Sequence, residues 1–325
     1  MIEKEFGGYL PLEIAKDGNE YYQSNNSFNV ISLNSGRSSF YFAAKTTKMR
    51  KIYLPIFNCA ETKSPFKKLN IEIEYYKLHE KLLPKNIYPQ KNEFVLWTNY
   101  YGNASDQEKT IIHKRYPNLI IDNCHAFFSK PIKGAYNCYS TRKFFGVCDG
   151  AYLIKDNYKL SEKIEVDTSY QSFSHLIKQI DLGTNFGYLD NLENEKRLNE
   201  NYLKMSKLTK TILKSIDYEK VFKIRRRNFI ELHKLLGEIN EFPINLNSKT
   251  HMYYPFLIKD KDLRYKLIDK KLFNPFWWKH VLEITEEFEI ENRLSKYTVM
   301  LPIDQRYELK DILNIAKLVK NSINK

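Results

Sequence analysis

Between residues 29 and 123 the chain alternates short apolar, β-branched runs with polar helical or turn-rich stretches, and this rhythm restricts the fold more than any other feature. The runs fall at residues 30–33, 52–55, 71–76, 94–97 and 119–121. Short buried strands separated by helical segments require crossover connections, so an α/β sheet is expected. After residues 152–154 the texture changes to long polar helices. Residues 205–236 carry Leu208, Ile212, Ile216, Val221, Ile224, Phe229 and Leu232 at helical spacing, a pattern expected to lead the chain out of its first domain. From about Pro243 the pattern is mixed: strand-like at 252–258, helical near 263–269, an aromatic turn at Asn274-Pro275-Phe276-Trp277-Trp278, strand-like at 298–301, and a closing helix at 309–323. The expected division is a large domain at 1–235 and a small α+β domain at 236–325, with no internal repeat.

A chain of 325 residues can bury a sizeable core, as two domains or one large α/β unit. Its 52 Lys and Arg against 39 Asp and Glu, a formal +13, favour an anionic partner such as a phosphate or nucleotide. The basic residues are dispersed. Their tightest cluster, Arg225-Arg226-Arg227, sits in a helical pattern and is expected to face solvent. There is no zinc-finger spacing, RNA-recognition signature or basic tail, so nucleic acid is not the expected partner. Cys59, Cys124, Cys138 and Cys148 form no Cys-x-x-Cys pair, and the N-terminus, with Glu3 and Glu5, carries no apolar signal segment. A reduced, cytoplasmic protein is expected. No apolar run approaches the roughly 20 residues that a bilayer span needs.

The densest chemistry lies between residues 119 and 153. An apolar run ends in Asp122, His125 follows, and then comes Ser140-Thr141-Arg142-Lys143-Phe144-Phe145-Gly146. A lysine beside Tyr139, Phe144 and Phe145 is expected to be a buried amine, desolvated and so freed for Schiff-base chemistry. Pyridoxal 5'-phosphate is the commonest carbonyl partner, and an acid at a strand end is the group expected to pair with its pyridine nitrogen. Asp122 occupies such a position. Ser35-Gly36-Arg37-Ser38-Ser39 follows the first strand and opens a helical run at 40–48, where free N–H groups and the helix dipole suit a phosphate. The alternative reading is a plain serine cap. No metal site is expected.

In order, these segments resemble the DegT/DnrJ/EryC1/StrS sugar aminotransferases, a branch of the fold-type-I pyridoxal-phosphate enzymes. Ser35-Gly36-Arg37-Ser38 is similar to the family's Ser-Gly-Thr-Ala opening, and Leu54-Pro55 to its Val-Pro strand end. Tyr100-Tyr101-Gly102-Asn103-Ala104-Ser105-Asp106 resembles Leu-Tyr-Gly-Gln-Pro-Ala-Asp. Ile121-Asp122-Asn123-Cys124-His125-Ala126 resembles Glu-Asp-Ala-Ala-Gln-Ala. Lys143 precedes Asp149-Gly150-Ala151-Tyr152-Leu153 as the family lysine precedes Gly-Gly and a strand. Met205-Ser206-Lys207-Leu208 and Leu301-Pro302 look like later landmarks.

The resemblance implies a large mixed-sheet α/β domain with a small C-terminal α+β domain, assembled as a homodimer. It implies transfer of an amino group from an amino acid, glutamate above all, to a keto group of a nucleotide-linked sugar in cell-surface glycan or related biosynthesis. Lys143 would hold the cofactor and shuttle a proton, Asp122 would bind the pyridine nitrogen, and His125, at the family's Gln position, would hydrogen-bond the phenolic oxygen. Gly36, Arg37, Ser38 and Ser140 would hold the phosphate, and Phe57 would stack on the ring. The chain departs from the pattern at three places: Cys138 stands where the family has its phosphate-binding serine, Cys59 at the ring-stacking aromatic, and Arg37 at the usual Thr. Thr184-Asn185-Phe186-Gly187-Tyr188 is a candidate for contacts across a subunit boundary. Phe276-Trp277-Trp278 with Lys279 and His280, and Asp304-Gln305-Arg306-Tyr307, are candidates for a substrate cleft. Two rivals stand beside this reading. One keeps the cofactor but dehydrates the sugar or uses a small non-nucleotide carbonyl; the retained lysine favours transfer, because some dehydratase relatives place histidine there. The other is a regulatory or anion-binding protein on the same scaffold, suggested by Cys59 and Cys138.

Overall fold

The computed structural model describes residues 12–15, 18–23, 27–158, 160, 162–249 and 251–323; Glu3 and Glu5 lie outside them. Seven strands, β1 (Asn29–Leu33), β2 (Lys51–Pro55), β3 (Glu72–Tyr76), β4 (Glu93–Thr98), β5 (Leu119–Asp122), β6 (Tyr136–Ser140) and β7 (Ala151–Lys155), form one sheet in the order β1-β7-β6-β5-β4-β2-β3. All neighbours are parallel except β7, which runs against both β1 and β6. The helices are α1 (Gly36–Lys45), α2 (Ser64–Lys68), α3 (Asp106–Arg115), α4 (Ser174–Asp181), α5 (Tyr188–Glu200), α6 (Lys207–Lys214), α7 (Tyr218–Leu236), α8 (Leu263–Asp269), α9 (Val281–Ile284), α10 (Ile290–Tyr297) and α11 (Leu309–Ile323). A second sheet pairs β8 (Tyr254–Leu257) with β9 (Thr298–Leu301), antiparallel.

Both faces of the large sheet are covered, which is why its strands read as apolar runs. The two-residue strand period splits each run between two cores. Val95, Trp97, Leu119 and Ile121 pack on one face with Tyr53, whereas Phe94, Leu96, Ile120, Ile52 and Leu54 pack on the other against Phe40 and Ala43 of α1. Every apolar run named from sequence in this region is a strand. The strand it omits is β6, Tyr-Asn-Cys-Tyr-Ser, which has no β-branched residue. Its buried Asn137 donates its amide to the carbonyls of Ile132 and Ala135 at 3.0 and 2.9 Å, so a polar side chain replaces the apolar signal.

Two sequence expectations change. The helical pattern at 205–236 is two helices, because Asp217 caps α7 by accepting from the Lys220 N–H at 2.9 Å and the apolar spacing survives the break. The arginine triplet is only partly a solvated face: Arg227 is exposed, Arg226 half-buried and Arg225 buried. Arg225 is buried and donates to the Met252 carbonyl at 2.6 Å, Arg226 donates to the carbonyls of Ser248 and Leu246, and Arg227 donates to the Tyr307 carbonyl. They clasp α7 to the C-terminal chain. The core of that C-terminal unit also takes in Phe229, Leu232 and Leu236 of α7 with β8, β9 and α11, so its packing reaches back across the 235/236 boundary.

One knot ties three elements at the head of the sheet. The fully buried Asp149 accepts from the N–H and hydroxyl of Ser206, both at 2.8 Å, and from the Thr209 hydroxyl, where α6 begins. Gly150, at φ +121°, donates to the Asn34 carbonyl after β1 and accepts from the Thr141 N–H after β6. A Cβ on Gly150 would fall 2.2 Å from Thr141 Oγ1. Gly150→Ala therefore combines a backbone penalty with a clash, and a loss of roughly 2–4 kcal/mol is expected in chemical denaturation.

Candidate active site

In an open sheet of parallel strands, ligands gather outside the carboxyl ends, where the polypeptide leaves the strands and turns into loops. Here the chain leaves β1 as Ser35-Gly36-Arg37, β2 as Asn58-Cys59, β5 as Asp122 to His125, and β6 as Ser140 to Lys143. Residues of all four exits line one cavity of about 660 Å³. Lys143 and Asp122 thus face a common space although they come from different strands. Across it stand Leu176 and Glu195 from α4 and α5, and Arg225, Trp278 and Arg306 from the C-terminal half.

Asp122 is buried at the end of β5, and its Oδ1 accepts the Cys124 N–H at 2.9 Å. That bond holds the loop that carries His125. Gly36 passes so close that a Cβ would sit 2.9 Å from Cys124 Sγ, which fixes glycine at this turn. Ser35 caps α1, accepting from the Ser38 N–H at 3.2 Å. The Ser38 hydroxyl is spent on Asn34 Oδ1 and Ser35 and is absent from the cavity wall. Ser140, by contrast, lines the wall, while Cys138 lies in the core of the sheet.

His125 is 2 % exposed and stacks on Trp277 with centroids 4.4 Å apart and planes at 27°. Its Nδ1 is buried with no hydrogen-bond partner among the described residues. Burial, with Lys143 nearby, holds the imidazole well below its ordinary range, so the ring is neutral. Trp277 also stacks on Tyr101, and Trp278 packs edge-on against Phe57 at 4.6 Å. The aromatic turn is therefore both core and wall: it closes the layer beneath His125 and brings Trp278 to the cavity.

Two expectations are corrected. Lys143 is exposed rather than buried and lines the cavity; Phe144 and Phe145 pack into the cluster of Phe127 and Phe128 while also reaching the cavity wall, and Tyr139, 4.6 Å from Tyr22, does not line it. Phe57 is 1 % exposed, packed on Tyr100 and Trp278 and off the cavity wall; Cys59 lines the wall instead. No residue of Thr184-Asn185-Phe186-Gly187-Tyr188 lines this cavity, which leaves the segment's expected contacts across a subunit boundary with the homodimer proposed below.

Of the later candidates, Asp304, Gln305 and Arg306 reach the wall, and Gln305 donates to the Phe144 carbonyl at 2.9 Å, next to Lys143. His280 lines a separate cavity of about 360 Å³ that also touches Cys59. Sequence reasoning missed Arg225, Arg142 as a wall residue, and Glu195. The first was hidden in a basic triplet, and the last in a polar helix without an apolar stripe. The cavity is lined by five cations, Arg37, Arg142, Lys143, Arg225 and Arg306, against three carboxylates, Asp122, Glu195 and Asp304. Burial alone would raise the Glu195 carboxyl, yet Arg142, Arg37 and Lys143 hold it below its usual range. All four cysteines are free, and among the described residues no cluster of metal-ligating side chains occurs. No described helix is long and apolar enough to cross a membrane.

No protein-family model matches the sequence, and no curated protein matches it. The architecture is shared with solved structures. A DegT DnrJ EryC1 StrS aminotransferase from Brucella abortus superimposes with a TM-score of 0.61 at 12% identity, over 91% of this chain and 86% of that one. The sugar aminotransferase CalS13 from Micromonospora echinospora gives 0.59 at 12% identity, over 90% and 87%. The E. coli GDP-4-keto-6-deoxy-D-mannose-3-dehydratase with bound hydrated PLP gives 0.55 at 13%, over 89% and 87%. At such identities the likeness is one of fold, and the fold of this chain is that of the DegT/DnrJ/EryC1/StrS-type sugar aminotransferases.

Proposed function

We propose that this chain is a pyridoxal-5'-phosphate enzyme that moves an amino group from an amino acid, glutamate by resemblance, to a keto group of a nucleotide-linked sugar. The observation that carries this reading is the convergence of Lys143, Asp122 and His125 with the Gly36 turn on one cavity. The residues fit the cofactor. Gly36 brings the turn at the start of α1 to the wall, His125 Nδ1 has no hydrogen-bond partner among the described residues, and the Asp122 carboxylate lines the cavity with its Oδ1 held by the Cys124 N–H. When bound, the cofactor supplies an electron sink for the carbanion chemistry.

The chain's own groups supply the rest. Lys143 carries a primary amine that can attach the cofactor's aldehyde and, once released, take and return the proton at the substrate carbon. Its exposure to the cavity leaves it free to change partners. Asp122 would pair with the pyridine nitrogen, and the Cys124 N–H fixes the carboxylate for that role. His125 presents a neutral ring on the Trp277 shelf. Gly36, Arg37 and Ser140, which line the cavity, would bind the phosphate, with the dipole of α1 behind them. The excess of cations on the wall suits a diphosphate-bearing substrate and a dicarboxylate donor.

A homodimer is part of the proposal. Ile177, Ile180, Leu182, Phe186, Tyr188 and Leu189, on α4, α5 and the turn between them, are 56–84% exposed. No α4 side chain is buried. Such an apolar surface beside the cavity suits a second copy of the chain.

Lys143→Ala is expected to abolish the visible absorbance of the lysine-bound cofactor and to lower amino transfer by about a thousandfold or more. Activity with an unchanged spectrum would remove the assignment. Asp122→Asn should keep the attachment but lower kcat roughly a hundredfold. Glutamate added to the cofactor-loaded protein should release 2-oxoglutarate in a single half-turnover; loss of water from the sugar without amine transfer would favour the dehydratase reading. The double variant Ile180→Asp with Phe186→Asp should sediment as a monomer where the parent sediments as a dimer.

A further inference from the structure

Three charged side chains meet beside the first turn of α1. Glu195 of α5 accepts a hydrogen bond from Arg142 and lies 3.6 Å from Arg37 Nη2. One carboxylate thus answers two guanidiniums. Nε and Nη2 of Arg37 and Nε of Arg142 are sealed from solvent with no hydrogen-bond partner among the described residues, although a buried donor left unsatisfied is costly. A carboxylate has two oxygens and one charge; a phosphoryl group has more of both and matches the guanidinium fork. All three residues line the cavity, and Arg37 sits where the helix dipole favours anions.

We propose that Arg37 and Arg142 form a phosphoryl-binding subsite in which Glu195 serves as an internal counter-ion, and that an arriving phosphoryl group displaces the Glu195 carboxylate. Arg37 is already a phosphate ligand in the function proposed above; the part of Arg142 and the displacement of Glu195 rest on this geometry alone. The source of the phosphoryl group, the cofactor's phosphate or the substrate's diphosphate, rests on the function proposed above. No bond is made or broken: a carboxylate leaves two guanidiniums and a phosphoryl group takes its place.

The test titrates inorganic phosphate into the cofactor-free protein by calorimetry. Glu195→Gln should bind phosphate about tenfold more tightly than the parent, and Arg142→Gln about tenfold more weakly. Arg142→Lys, which keeps the charge and removes the fork, should weaken binding several-fold. Unchanged or weaker binding by Glu195→Gln, in a variant that melts like the parent, overturns the subsite; so does unaltered binding by a folded Arg142→Lys should the glutamine variant not fold. Two further arms identify the source. If Arg142→Gln loses the parent's preference for pyridoxal phosphate over pyridoxal, the cofactor supplies the phosphoryl group. If it loses only affinity for uridine diphosphate in the cofactor-loaded protein, the substrate does. Loss of neither overturns the subsite. Pyridoxal has no phosphate, so the absorbance it develops with Lys143 reports the cofactor reading separately: absorbance with a failed subsite leaves that reading standing, and a working subsite with no absorbance removes that reading alone.

Discussion

A carboxylate with no access to water, Asp149, holds the chemistry of this chain in place. Its oxygens take up the hydroxyls and the N–H at the start of α6, donors that would otherwise be orphaned at a buried helix end. Burial pushes its carboxyl up, and the Ser206 and Thr209 bonds oppose that shift. The backbone of Gly150, one residue on, ties the exit of β1 to the exit of β6. Gly36 and Arg37 lie just beyond the first exit, and Ser140 to Lys143 just beyond the second. The two halves of the cavity wall are thus set against each other by a group that does not itself face the cavity.

A second constraint comes from the C-terminal half. Trp277 lies on His125, Trp278 on Phe57, and Gln305 reaches the Phe144 carbonyl. These contacts couple the small sheet unit to both the Asp122 and the Lys143 loops. They also explain the neutral state of His125: stacking beneath an indole removes water from an imidazole that has a cationic neighbour.

The large sheet was legible because burial on both faces writes strands as apolar runs, and the closing helix because its apolar stripe keeps helical period. Asp122, His125 and Lys143 stood out because each follows or precedes a strand in a motif of fixed order. What stayed hidden depended on which way a side chain turns. Nothing local distinguishes Phe57, which enters the core, from Cys59, which enters the wall. The aromatic residues around Lys143 suggested enclosure, but Tyr139 turns into the core and Phe144 and Phe145, which touch the wall, are held in the aromatic cluster, so the amine is left exposed to the cavity. Glu195 and Arg225 come from helices whose relation to the sheet is set by tertiary contacts, and a local pattern carries no trace of it.

The reversed direction of β7 has a further consequence. Because β6 and β7 are antiparallel neighbours, the segment that bears Lys143 is a hairpin loop of local sequence, whereas Asp122 and the Gly36 turn reach the cavity through crossovers. Thr141, Phe144, Phe145, Val147 and Cys148 in that loop are buried, so with Asp149 and Gly150 they must persist, while the exposed Gly146, with open space for a Cβ, can change without disturbing the register of the sheet. This gives evolution a place to retune the lysine's surroundings while the architecture stays fixed.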